Sequence, residues 1–179
     1  MADAPNMQMW TGRAIFLGLC LFLIFVQLLP LDARPETVPW PDLLLLVTLL
    51  WVARRPDYAP VLVIGVVFFL TDLLFQRPPG LWTALVLLAT EAIRARALRL
   101  RSAPLVIEWG TIAGAILIST FAYRIVLLIA LSPTPPLGLT LLQMIMTLLA
   151  YPVVALFAHY MFRVSRPAPG AVDSLGHRL

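Results

Sequence analysis

Residues 105–131 read LVIEWGTIAGAILISTFAYRIVLLIAL, with only Glu108 and Arg124 charged. A helix crosses a hydrocarbon core of ~30 Å with about 20 apolar residues. This run exceeds that length, so it can span a bilayer with tilt. Further apolar runs occupy 14–31, 38–53, 59–75, 80–93 and 137–162. Across the chain 61% of residues are hydrophobic and 12% charged, and the mean hydropathy is +0.92. Soluble domains carry about 25% charged residues, so this chain cannot clothe a water-facing surface. The expected fold is all-α: a polytopic membrane protein, one domain over 1–179, with six transmembrane helices in one bundle. Residues 163–179, which contain Pro and Gly, are expected to form a disordered tail.

The ends of the runs carry further expectations. The first follows Arg13 and exits through Leu31-Asp32-Ala33-Arg34-Pro35, which lacks a signal-peptidase site, so it reads as an uncleaved span. Pro39 and Pro41 fit a helix's first turn, where N–H groups are spare. The fourth helix is expected to run on through the Arg cluster until Pro104 stops it. Pro152 should kink the last helix and leave the carbonyl near Leu148 without its usual donor.

All 13 basic residues are Arg. With the amino terminus inside, the inner segments hold ten of them: Arg13, Arg54, Arg55, Arg94, Arg96, Arg99, Arg101, Arg163, Arg166 and Arg178. The outer loops hold two, Arg34 and Arg77. That bias places both termini in the cytoplasm. The clustering between apolar runs argues for membrane orientation and against nucleic acid as a partner.

Motifs of enzymatic chemistry are missing: there is no phosphate-binding Gly-rich loop, HExxH, paired-Cys site or DDxxD cluster. No metal or cofactor is expected, and the chain reads as a non-enzyme. His159 and His177 read as boundary and tail residues, and Cys20 as a packing residue. Gly110 and Gly114 form a GxxxG, expected to pack helices within the bundle, with a dimer or partner contact as the other reading. Arg94, Arg96, Arg99 and Arg101 form a basic inner-surface cluster, read as a topology anchor that attracts anionic lipid, or else as a dock for an acidic partner. Glu91 is expected to pair with Arg94, and Glu108 to reach water or Arg101.

Intramembrane polar residues are costly and therefore candidates for function. Gln27, Asp42, Asp72, Arg124 and Gln143 fall at similar outer depth on five helices. They are expected to form a shared polar pocket or a network that fixes helix register. Arg124 lies about 10 Å below the outer end of its helix at 1.5 Å per residue. An Asp72–Arg124 ion pair is expected.

The stretch PDLLLLVTLLWVARRPDYAP, Pro41 to Pro60, resembles the second-span signature of the rod-shape-determining protein MreD family. GVVFFLTDLLFQRPPGLWTALVLLATEAI, Gly65 to Ile93, is similar to that family's Asp-Leu-Leu and Pro-Leu-Gly segment, with Asp72 at the aspartate and Pro78, Gly80 and Leu81 following. Pro79 departs from the usual Leu. The resemblance implies a non-enzymatic inner-membrane scaffold of the bacterial cell-elongation machinery. It would couple a bitopic MreC-like partner and cytoskeletal MreB to a peptidoglycan transpeptidase and glycosyltransferase. It also implies a fold similar to energy-coupling-factor transporter substrate-binding subunits. The alternative function is a small-molecule-binding subunit of a transporter, which would need unpaired polar groups in an outer pocket.

Overall fold

The computed structural model describes residues 4–29 and 39–162. Among them there are helices and no strands: α1 (Ala4–Leu28), α2 (Leu43–Arg54), a 3-10 turn (Pro56–Tyr58), α3 (Val61–Leu74), α4 (Leu81–Arg94), α5 (Ala97–Ser102), α6 (Leu105–Ile129) and α7 (Leu137–Phe162). Apart from the short α5, successive helices alternate in direction. Arg13, Arg54, Arg55, Arg94, Arg96 and Arg99 gather at one end of the bundle, the arginine-rich end. Arg77 and Arg124 belong to the opposite end, the far end.

The bundle is organised around α2. Every residue from Leu44 to Arg54 is buried, and the helix touches α1, α4, α5, α6 and α7. Its sequence LLLLVTLLWVAR is apolar on all faces, as a helix enclosed on all sides requires. It is about 18 Å long at 1.5 Å per residue, shorter than a ~30 Å hydrocarbon core. Burial removes the mismatch, because α2 meets protein side chains where an outer helix would meet lipid. Phe16, Cys20 and Ile24 of α1 and Ile64, Val67 and Phe68 of α3 join the same core. Cys20 is fully buried there.

Three helices are long and apolar enough to cross a membrane, through Met9–Leu28, Leu105–Ile129 and Leu137–Ala158. Their outward faces carry large apolar side chains, including Phe22, Phe25, Ile118, Ile129, Leu149 and Val153. Contiguous apolar surface on this scale needs a nonaqueous neighbour. The molecule is an all-helical membrane protein.

Several helix ends differ from expectation. α1 begins at Ala4, well before residue 14; residues 30–38, with the exit sequence and Arg34, lie outside the described residues, as does 163–179. Pro39 and Pro41 precede α2 and are not in its first turn. Asp42 is the N-cap, its Oδ1 accepting from the Leu45 N–H at 2.9 Å. The expected continuation of α4 to Pro104 is also wrong. α4 stops at Arg94, whose guanidinium donates to Glu91 Oε1 (2.9 Å), Pro56 O (2.9 Å) and Ala59 O (2.8 Å). The chain then turns and restarts as α5. Arg94 thus makes the expected pair with Glu91 and also clamps α4 to the 3-10 turn.

α7 runs unbroken from Leu137 to Phe162 with Pro152 inside. The carbonyl of Leu148, four residues before the proline, accepts from Trp109 Nε1–H of α6 at 3.2 Å. A neighbouring helix supplies the donor that the proline lacks.

Candidate functional site

The far end contains a pocket of about 610 Å³. Asp42 of α2, Arg77 and Pro78 after α3, Trp82 of α4, Tyr123 and Arg124 of α6, and Gln143 and Thr147 of α7 line it. Leu45, Ile116, Leu127 and Met144 add apolar wall. Five elements and their loops therefore converge on one cavity.

Its α7 wall is stitched to the start of α2. The Asp42 N–H donates to Thr147 Oγ1 at 2.9 Å, the Thr147 hydroxyl donates to Gln143 O at 2.7 Å, and Gln143 Nε2 donates to Trp40 O at 3.2 Å. On the α6 wall, Arg124 Nη1 donates to Pro135 O at 2.8 Å and Thr140 Oγ1 at 3.2 Å. Arg77 stacks on Phe75 and Trp82, 5.5 and 5.8 Å from the ring centroids. Trp82 meets Tyr123 edge to face at 5.2 Å.

Of the five residues expected to converge, Asp42, Arg124 and Gln143 do. Gln27 does not: it is exposed on the last turn of α1, a helix that contributes nothing to the pocket. Asp72 does not line the cavity either, and the expected Asp72–Arg124 pair is absent. Asp72 Oδ2 instead accepts from Gly80 N–H (3.0 Å), Thr83 N–H (3.2 Å) and Thr83 Oγ1–H (2.8 Å). The carboxylate caps the start of α4 across the intervening loop, where free N–H groups and the helix dipole both favour an anion. Gly80 makes the turn possible with φ of 84°. The local demand of a helix end outcompetes a long-range ion pair, because three short-range donors already satisfy one oxygen.

No family model, curated protein or solved structure matches this chain. The site is therefore read from its own geometry.

At the arginine-rich end the main polar feature was not foreseen. Glu108 of α6 pairs with Arg54 of α2, Oε1 to Nε at 2.8 Å, with side chains 1% and 6% exposed. Arg54 Nη1 also donates to Ala155 O of α7 at 3.3 Å. Glu108 thus does not reach water, an expected partner, because it is sealed from solvent against the end of the central helix; the expected contact with Arg101 involves a side chain outside those described. The side chain of His159 also lies outside those described. Arg96 is exposed and donates to Ala92 O at 3.0 Å, and Arg99 is exposed as well. The basic cluster is therefore not one uniform patch: Arg94 serves the fold, while Arg96 and Arg99 face outward.

Gly110 and Gly114 also depart from expectation. A Cβ at either position would meet nothing within 4 Å, so the GxxxG does not pack against another helix of this bundle. With Val106 it forms an open i, i+4 ridge on α6. Beside the start of that ridge runs a groove of about 800 Å³ between α6 and α7, lined by Val106, Trp109, Leu149, Tyr151 and Leu156 among others. The Tyr151 hydroxyl is buried there beside the Arg54–Glu108 pair.

Proposed function

We propose that this chain is a six-span, multi-pass scaffold of the bacterial inner membrane with both termini in the cytoplasm. In this reading it works without turnover in cell elongation, joining an MreC-like bitopic protein, and through it MreB and the peptidoglycan transpeptidase and glycosyltransferase. The observation that carries the reading is the uncovered Val106–Gly110–Gly114 ridge beside the α6–α7 groove. Small residues on a membrane helix let another helix backbone approach closely. A bitopic partner has one such helix to offer. Two further features support the reading. The segments that resemble the MreD family build the central helix and the Asp72-capped turn, the parts that order the bundle. The concentration of arginines at the end where α1 begins and α7 finishes fits cytoplasmic termini.

Depletion in the native host, followed by microscopy and co-purification, tests it. Rounded cells and recovery of a bitopic periplasmic partner are expected, with the partner lost from Gly110→Leu, Gly114→Leu. Unchanged cell shape with recovery of an ATPase module would replace this reading with the second, a small-molecule-binding transporter subunit. That second reading draws on the far-end pocket, which has the concave form and the unpaired polar groups such a subunit requires.

A further inference from the structure

The far-end pocket has a charge imbalance. Among the described residues neither Arg77 nor Arg124 lies within ion-pair distance of a carboxylate; the pairs present are Arg54–Glu108 and Arg94–Glu91. Arg77 is held by aromatic rings and makes no side-chain hydrogen bond among the described residues. Arg124 spends Nη1 on Pro135 O and Thr140 Oγ1, leaving Nε and Nη2 without an acceptor among the described residues. The one acidic residue in the lining, Asp42, uses Oδ1 to cap α2. Among the described residues, two cations against one anion leave the lining one positive charge in excess.

Backbone strain marks the same place. Among the described residues the two non-glycine positions with positive φ are Gln76, at 53°, and Leu131, at 52°. Each follows the end of a helix, and each turn closes with bonds from the next residue: Arg77 N–H to Asp72 O at 2.9 Å, and Ser132 N–H to Leu127 O at 3.0 Å. Glycine usually holds this position, and a non-glycine residue there is uncommon. Both turns deliver their next residue, Arg77 or Ser132, to the pocket wall. Non-glycine residues in this conformation cluster where a site is built.

We infer that this pocket binds a phosphate-type monoanion carried on an apolar body. The guanidiniums of Arg77 and Arg124 would hold the anionic oxygens, since their forked N–H groups match phosphate. The wall of Leu45, Ile116, Leu127 and Met144 would take the apolar part. The inference does not depend on the scaffold reading, because it uses no residue of the α6 ridge.

The test uses the full-length chain, delipidated in a neutral detergent, with thermal stability and native mass spectrometry as readouts. Phosphatidylglycerol, phosphatidylcholine and inorganic phosphate are titrated separately. Saturable stabilisation by phosphatidylglycerol but not phosphatidylcholine is expected. Arg77→Gln should weaken it about tenfold, as loss of a charge-assisted contact does, and Arg77→Gln with Arg124→Gln should abolish it. Arg96→Gln, at the other end, should change nothing. A response to the lipid alone supports the inference; an equal response to inorganic phosphate shows that no apolar body is recognised and overturns it. Arg124→Gln also removes the bond to the Pro135 carbonyl, so Arg77→Gln, which breaks no hydrogen bond among the described residues, carries the decision. If Arg77→Gln binds as the unaltered chain does, if Arg96→Gln loses as much, or if no anion binds saturably, the inference fails.

Discussion

Replacing Glu108 by Ala removes the carboxylate paired with the Arg54 guanidinium, whose side chain is 6% exposed, at the buried end of the central helix. Removing one partner of a buried pair costs about 3–5 kcal/mol, because the remaining buried charge loses its counter-ion. For a chain of this size each kcal/mol lowers the melting temperature by about 2–4 °C, so a fall of about 6–20 °C is expected. The assay is loss of the monodisperse size-exclusion peak after heating in a fixed detergent. Arg54→Met should be similarly damaging, since it removes the counter-ion of the buried Glu108. The double variant Arg54→Met, Glu108→Leu should be more stable than either single variant, because no charge is left buried. A loss of about 1 kcal/mol or less from Glu108→Ala, the range of an exposed pair, would refute the argument. So would a double variant as unstable as the sum of the two singles.

Asp72→Asn should keep nearly full stability, since an amide oxygen at the Oδ2 position can accept all three bonds while Oδ1 makes none; Asp72→Ala should lose about 0.5–2 kcal/mol, the usual value of a cap, on the same melting assay. Trp109→Phe frees the Leu148 carbonyl and should cost about 1–3 kcal/mol; an unchanged melting point would show that another group takes over. Gly12→Ala brings a methyl to 2.6 Å from the Tyr58 ring. It should destabilise by about 1–3 kcal/mol as an overpacking change, and Tyr58→Ala in the same chain should relieve most of that loss.

The sequence by itself determined that the chain is helical and belongs in a membrane. Those properties follow from local composition, since a run such as 105–131 has no way to satisfy its backbone in lipid except as a helix. It also determined the near-surface Glu91–Arg94 pair and the orphan carbonyl at Leu148, both consequences of helix geometry within four residues. The donor for that carbonyl was another matter. Trp109 is 39 residues away from Leu148, and no local rule connects them. Which run lies in the middle was equally hidden. α2 has only 12 residues, short for a span, yet shortness suits a helix that meets no lipid. From its central position follow the burial of Arg54 and its capture of Glu108. Polar residues at one depth in the sequence shared only a height, and rotation about each helix axis decided the rest. It turned Asp42, Arg124 and Gln143 into the pocket, left Gln27 outside, and set Asp72 on the start of α4. Height along a helix is readable from residue number, but the direction a side chain faces depends on which neighbours pack against it.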